Sequence, residues 1–390
     1  MISKKTRSNI VQGSWIRKLF EKGNELRKQG IEVIDLSLGN PVLEPPERVI
    51  ESIKENAGIK GIHRYMSNAG FEETRQKIAE YLNQKNLLKT SKEKIVLTCG
   101  AGGAINVILK TILNPMDEVI IFTPCFMEYK FYIENFEGKA VECSTKEDYS
   151  IDFSELGKKI SEKTKAVIIN SPNNPTGKVY SKKELMKLSD FLKEKEKEFN
   201  KEIYVISDEP YRDVLFDGIE FTSISSIYPA HSFMVFSWSK SLGLAGERIG
   251  YIACPKQMPK EVIDGLVLNN RILGFVNAPA LMQKIAGENL EPIKGLDKIY
   301  ENKRNYLIKE LAKSGYGFFV PQGAFYLFVK SPLENDIEFC LNAAEKHLLV
   351  SPGTGFGKKG FFRIAFCTED ETLKKAIDLL KELKQSRCLA

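Results

Sequence analysis

Five short apolar runs, each stopping abruptly at glycine or small polar residues, constrain the fold of this chain more than any other feature. They read EKIVLTCGAGG at 93–103, DEVIIFTPCF at 117–126, TKAVIINSPNNPTG at 164–177, EIYVISDEPY at 202–211 and SFMVFSWSK at 232–240. Short Val/Ile/Phe-rich runs without polar alternation read as strands covered on both faces. Helical patterns lie between them, such as the apolar stretch following the glycines at 100–103. Strand–helix alternation predicts an α/β fold with a mostly parallel sheet between helices. In such a sheet, ligands bind outside the carboxyl ends of the strands.

The flanking segments complete an outline of the chain. EVIDLSLGNP at 32–41 reads as a short strand ending in a Gly-Asn-Pro turn. PPERVIESIKENA at 45–57 opens with proline and continues as a helix, and GFEETRQKIAEYLNQKN at 70–86 is a second helix. The charged stretch from Lys182 carries Leu185, Leu188 and Leu192 at helical spacing, which reads as an amphipathic surface helix. After about Asn270 the pattern changes. A long charged helix over 296–314, a strand within GAFYLFVK, a helix over 336–347, a strand in FFRIAFC and a last helix predict a smaller α+β domain. The expected organisation is a segment 1–34 packing with the small domain, a large domain 35–270 and a small domain 271–390.

Composition removes several function classes. With 390 residues, 43% of them hydrophobic, the chain has material for one large domain or two sharing a core. A net charge of +6 with interspersed signs does not mark a nucleic-acid surface. The seven cysteines form no Cys-x-x-Cys pair, and none of the three histidines is near another, so no metal site is expected. An odd, scattered cysteine set fits a reducing cytoplasm. Neither an apolar signal core nor a run of roughly 18 apolar residues is present, so a soluble intracellular protein without a membrane partner is expected.

Four strand ends offer chemistry on one rim: CGAGG at 99–103, NNPTG at 173–177, DEPY at 208–211 and SWSK at 237–240. Lys240 sits among Ser, Trp, Leu and Gly rather than among other charges. A lysine held in a partly apolar pocket becomes available as a nucleophile toward a carbonyl. An aspartate on a neighbouring strand would hold a ring nitrogen protonated. Glycines opening a helix let backbone N–H groups approach a phosphate. Serines and Arg248 would add contacts. Together these parts suit pyridoxal 5'-phosphate.

The run S-x-S-K-x-x-x-x-x-G-x-R-x-G over 237–250, with NNPTG and DEPY upstream, resembles the class I aminotransferases of the fold-type-I pyridoxal-phosphate enzymes, the aspartate aminotransferase superfamily. The likeness runs from LSLGNP to FFRIAFC and implies a large domain with a seven-stranded, mostly parallel sheet beside a smaller α+β domain. Lys240 then matches the lysine that forms the cofactor aldimine and moves the α-proton. Asp208 matches the acid beside the pyridine nitrogen. Tyr211 and Asn174 match the donors to the ring oxygen. Ser237, Ser239 and Arg248 match phosphate contacts, and Gly100, Ala101 and Gly102 match the backbone cradle. Phe126 matches the aromatic that stacks on the ring. Tyr65 matches a tyrosine given to the neighbouring subunit's phosphate, which implies a homodimer. Arg363 matches the arginine that grips the substrate α-carboxylate, and Gly39 with Asn40 the segment over that carboxylate. Trp15, Ile16 and Arg17 are candidates for the substrate mouth.

Two departures bear on specificity. Many relatives carry Ser or Thr at the position of Gly102, and an aspartate-specific subgroup carries Lys. Gly102 offers neither, so the phosphate cup is expected to lose a hydrogen bond worth about 1 kcal/mol net. GNPVLEPP also differs from the commoner Gly-x-Pro-Asp-Phe pattern on the substrate-side wall. The resemblance implies a ping-pong transfer from an L-amino acid to a 2-oxo acid, 2-oxoglutarate being the usual acceptor. A related lyase or decarboxylase of the C–S lyase type remains an alternative, because the cofactor contacts are shared. A regulatory, non-enzymatic relative is disfavoured by the complete lysine–aspartate–arginine set and by the absence of an added DNA-binding domain.

Overall fold

The computed structural model describes residues 2–12, 21 and 23–385. Its first strand, β1 (Ile34–Asp35), is only two residues long. Seven further strands build the main sheet: β2 (Ile95–Thr98), β3 (Glu118–Thr123), β4 (Lys139–Ser144), β5 (Thr164–Asn170), β6 (Tyr204–Asp208), β7 (Ser232–Ser237) and β8 (Gly250–Ala253). Their order is β2-β8-β7-β6-β5-β3-β4. Only β8 runs antiparallel to its neighbours; the other pairs are parallel. The five apolar runs all fall in this sheet, as the α/β reading expects. The edge strand β4, half exposed, and the four-residue β8 were not read from the sequence, because neither carries a long apolar run.

Alternate residues of each central strand enter different cores. Val119 and Ile121 pack with Ile105 and Ile108 of the helix Gly100–Ile112, whereas Ile120 and Phe122 pack with Leu185, Leu188 and Leu192 of the helix Lys182–Phe199. Each fully buried leucine contributes about 2 kcal/mol. Ser181 caps that second helix by accepting from the Glu184 amide at 3.2 Å. Both faces are covered, so the sheet exposes only its strand ends for chemistry.

A second core forms on the C-terminal side. Strands β9 (Tyr326–Lys330), β11 (Ser351–Pro352) and β12 (Phe361–Ala365) make an antiparallel three-stranded sheet in the order β11-β12-β9. The helices Leu296–Lys313, Asp336–Glu345 and Asp370–Gln385 bury Leu307, Phe339, Leu373 and Ile377 with it. The middle helix stops before His347, whose left-handed φ of 63° cannot continue it.

Contacts cross the expected division points at 34/35 and 270/271. β1 pairs in parallel with β10 (Leu348–Leu349), and Ile34 and Leu36 lie in the C-terminal core. The helix Ala280–Glu288 packs on the helices Glu47–Ala57 and Glu72–Gln84, and its Met282 and Ile285 join β2 and β8 in the core of the main sheet. Its apolar face matches those two helices, so it belongs with them rather than with residues 296–385. In the N-terminal segment, Gly23 approaches the C-terminal unit so closely that an added Cβ would lie 2.6 Å from Leu349. The helix Lys4–Gln12 instead reaches the main-sheet side, where the Lys5 ammonium donates to the Glu134 carbonyl. Trp15, Ile16 and Arg17 lie outside the described residues.

Candidate active site

The carboxyl ends of β2, β5, β6 and β7 meet on one rim. β8 fixes this alignment, because Gly250 pairs with Thr98 on one side and Ser237 on the other. A cleft of about 350 Å³ opens there, bounded across the gap by β12 and by residues 37–39. It brings together Gly39, Ala101, Gly102, Phe126, Asn174, Asp208, Tyr211, Ser237, Ser239, Lys240, Arg248 and Arg363. Gly100 lies immediately behind that lining. Tyr65 is 89% exposed and does not line the cleft of its own chain. Asn40 is also exposed and outside the cleft wall.

Lys240 sits on the single helical turn Trp238–Ser241 that follows β7. Ser237 caps this turn by accepting from the Ser239 amide. The Lys240 amine donates to the Gly39 carbonyl at 2.5 Å, and no carboxylate pairs with it among the described residues. Burial draws the amine down to about 8, with Cys367 opposing and the cations Arg363 and Arg248 assisting. An exposed lysine would be almost wholly charged at neutral pH; this one is near the point of giving up its proton. Gly39 must be glycine here, since an added Cβ would overlap the Tyr326 hydroxyl at 1.9 Å.

Asp208 closes β6 and is buried. Its Oδ2 accepts from the Tyr129 hydroxyl at 2.5 Å. Its Oδ1 is buried with no partner among the described residues. Burial pushes the carboxyl up to about 7, with Tyr129 pulling it back and Glu209 adding to the rise. A buried orphan acceptor on a carboxyl that burial disfavours as an anion calls for a donor, above all a cationic one. Asn170 steadies the neighbouring loop: its Nδ2 donates to the Asp208 carbonyl at 2.9 Å and its Oδ1 accepts from the Asn174 amide at 2.7 Å.

The glycine-rich start of the helix Gly100–Ile112 lines the cleft, and a helix N-terminus of this kind favours an anion. Gly100 has a left-handed φ of 70°, and an added Cβ would meet the Arg248 guanidinium at 2.8 Å. Arg248 itself is held at a φ of 52°, with Nη1 donating to the Ala245 carbonyl at 2.9 Å. The Ser237 and Ser239 hydroxyls bond each other at 2.8 Å beside them. Across the cleft, the Tyr132 hydroxyl stands 3.2 Å from where a Cβ on residue 102 would be. A hydroxyl from the neighbouring helix Glu128–Glu134 thus stands beside Gly102, where the sequence places none.

Arg363 crosses from β12. Its Nη1 donates to Asn174 Oδ1 at 2.8 Å, its Nη2 donates to the Ser37 carbonyl, and its Nε is buried without a partner. The rings of Tyr326 and Phe356 each lie 4.6 Å from its central carbon. The Tyr211 hydroxyl, pushed well above the usual phenol range by burial, shares a 2.8 Å hydrogen bond with Tyr326. Sequence reasoning missed Tyr129, Tyr132 and Glu128, which line the cleft from the helix Glu128–Glu134 or its start, and it missed Asn170, Tyr326 and Phe356. The only signal was their nearness to Phe126 and to the strand ends.

Chemically, the cleft offers a deprotonatable amine, a buried acid with a free oxygen, an anion cradle and a planar guanidinium. That donor set fits a phosphorylated, carbonyl-bearing pyridine: an orphan acceptor for the ring nitrogen, an amine for the carbonyl and a cradle for the phosphate.

Comparisons with known proteins agree with this geometry. The family model for aminotransferase class I and II matches residues 31–380. A probable aspartate/prephenate aminotransferase from Aquifex aeolicus is 32% identical, covering 93% of each chain. An aromatic-amino-acid aminotransferase 2 from Thermococcus litoralis is 32% identical over 98% of each. The solved structure of an amino transferase from Eubacterium rectale superposes with a TM-score of 0.91 at 34% identity, covering 99% of both chains. The chain is a member of the class I and II aminotransferase family, a transaminase of the fold-type-I group that works with pyridoxal 5'-phosphate.

Proposed function

We propose that this enzyme transfers the amino group of an L-amino acid to a 2-oxo acid in two alternating half-reactions, with Lys240 as the residue that bonds the cofactor and moves the proton. The observation that carries this reading is the convergence of Lys240, Asp208 and Arg363, from two different sheets, on one cleft. Pyridoxal phosphate, when bound, supplies an electron sink for the charge left on the substrate α-carbon. The remaining work falls to side chains. Asp208 would accept the ring N–H on its free Oδ1 and be held ionised by that charge. Asn174 and Tyr211 would donate to the ring oxygen, and Phe126 would cover the ring. The amides of Gly100, Ala101 and Gly102 would hold the phosphate together with Ser237, Ser239, Arg248 and the Tyr132 hydroxyl.

Arg363 would grip the substrate α-carboxylate with two parallel hydrogen bonds, its unpartnered Nε being one available donor. Gly39 would wall this subsite. Lys240 Nζ would take the α-proton; an amine near 8 is matched to that task at neutral pH. Because Arg363 and Lys240 come from different units, a substrate bridging them would draw the units together and exclude water. The exposure of Tyr65 supports a homodimer in which it completes the partner's phosphate site. Six of the seven cysteines lie among the described residues and are unpaired, which supports a reducing cytoplasm, and no helix among the described residues is long and apolar enough to cross a membrane. As acceptor, 2-oxoglutarate is the first to try.

The test is a half-reaction. Cofactor-loaded protein is mixed with single L-amino acids and no oxo acid, and the products are separated. The reading expects a 2-oxo acid and pyridoxamine phosphate in equal amounts. Release of ammonia, carbon dioxide or a sulfur product with the cofactor unchanged would replace transfer by lyase or decarboxylase chemistry on the same site.

A further inference from the structure

We propose that Glu128 reads the substrate side chain and selects amino acids whose side chain ends in a hydrogen-bond donor, cationic ends best. This rests on the reading of Arg363 as the α-carboxylate clamp and Lys240 as the base. Five charged residues line the cleft: Asp208, Lys240, Arg248, Arg363 and Glu128. The first four have tasks set by the cofactor and by the amino acid's own backbone. Glu128 has none of these, yet it faces the same space.

Its position in the cleft beside Arg363 and Lys240 would turn it toward the third substituent of the α-carbon. Glu128 follows Phe126, the ring-covering residue, by two positions and begins the helix Glu128–Glu134, whose Tyr129 holds Asp208 and whose Tyr132 faces Gly102. Arg363, Tyr132 and Tyr326 line the same cleft; the Arg363 charge lowers the Glu128 carboxyl, and the Glu128 charge in turn raises the phenols of Tyr132 and Tyr326. Among the described residues its carboxylate has no ion pair and no side-chain hydrogen-bond partner. A role in starting the helix would be met by a carboxylate turned to solvent. Here burial raises the half-buried carboxyl above its usual range, against the pull of its own backbone amide and of Arg363, so a carboxylate with no side-chain partner is costly and a donor in the cleft favourable. A substrate held by Arg363 at one end and presenting a donor at the other satisfies that acid. One presenting a second carboxylate sets like charges side by side.

Two measurements on wild-type and Glu128→Gln proteins, both loaded with cofactor, decide the matter. The first is calorimetric binding of unreactive α-methyl analogues of ornithine, leucine and aspartate. The second is kcat/KM for ornithine, glutamine, leucine and aspartate as donors. The amide keeps the shape, so a structural role would move all donors alike. The proposal expects the ornithine-to-leucine ratio to fall by about tenfold or more in Glu128→Gln in both measurements, leucine to stay within about threefold, and aspartate to improve. Unchanged ratios, or a wild-type preference for aspartate that survives the substitution, would overturn it. Selective binding of the ornithine analogue without amino transfer would uphold Glu128 and reject the transfer reading instead.

Discussion

The rim of the seven-stranded sheet and the face of the three-stranded sheet turn charged side chains into the same cleft, but they hold them differently. On the rim, several groups are fixed by neighbours within their own layer: Asp208 by Tyr129, the NNPTG loop by Asn170, Ser237 by Ser239. From the small sheet, Arg363 reaches outward and is held by Asn174 and the Ser37 carbonyl, both outside its own sheet. These rim contacts are in place before anything binds, as suits a site for a resident cofactor. The arginine is held by contacts that a carboxylate can replace, which suits a substrate that comes and goes. Cofactor retention and substrate binding should therefore be separable by mutation.

The largest effect is expected on the rim. Lys240→Ala should lower kcat by about 10³-fold or more while leaving the fold intact, since one group both anchors and moves the proton. Rapid-quench assays with circular dichroism as a folding control check this; retention of more than a tenth of the rate would break the comparison at its strongest point.

Next comes the arginine. Arg363→Ala should raise KM for amino acids by about a hundredfold, through loss of a bidentate charged pair, while the cofactor dissociation constant stays within about threefold. Equal losses of both would show that the two sheets do not divide the work as described.

A pH series sharpens the account of Lys240. Its folded value of about 8 lies below the ordinary lysine value of 10.5. The neutral amine is the nucleophile, so the rate of cofactor capture by apoprotein should rise about tenfold per pH unit below 8 and level off above it. A plateau reached only near 10.5 would mean that burial does not tune this amine. The same shift bears on folding: a lysine lowered from 10.5 to about 8 costs stability below 8, and that cost disappears as pH rises through 10.5.

The smallest effect concerns the cup. Tyr132→Phe should weaken cofactor binding by about fivefold, and adding Gly102→Ser should recover part of it by returning a hydroxyl from the other side. Calorimetric titration of apoprotein with pyridoxal phosphate reads both. No change in Tyr132→Phe would remove this tyrosine from the phosphate contacts.

What was legible in the sequence follows the same division. Rim residues are readable because a strand end and the few residues after it are contiguous: DEPY and SWSK carry their placement with them. Lys240 also betrayed itself by lacking charged neighbours. The opposite wall is assembled by tertiary folding. Tyr326 and Phe356 look like ordinary core aromatics until β9 and the turn Gly353–Phe356 bring them beside Arg363 of β12. Glu128 and Tyr132 share a seven-residue helix whose sequence, EYKFYIE, shows no periodicity pointing to a cleft. The helix Ala280–Glu288 was assigned to the C-terminal unit by chain order, yet Met282 and Ile285 pack with β2 and β8. Chain order cannot report which of two apolar surfaces a helix chooses.

The central claim is that the strand ends form one site with Lys240 as its covalent centre. Borohydride reduction of the cofactor-loaded protein, followed by digestion and mass spectrometry, tests it most directly. The account predicts a single pyridoxyl group on the peptide carrying Lys240, absent from Lys240→Ala. A label on another lysine, or none on a protein that nonetheless transfers amino groups, would contradict it.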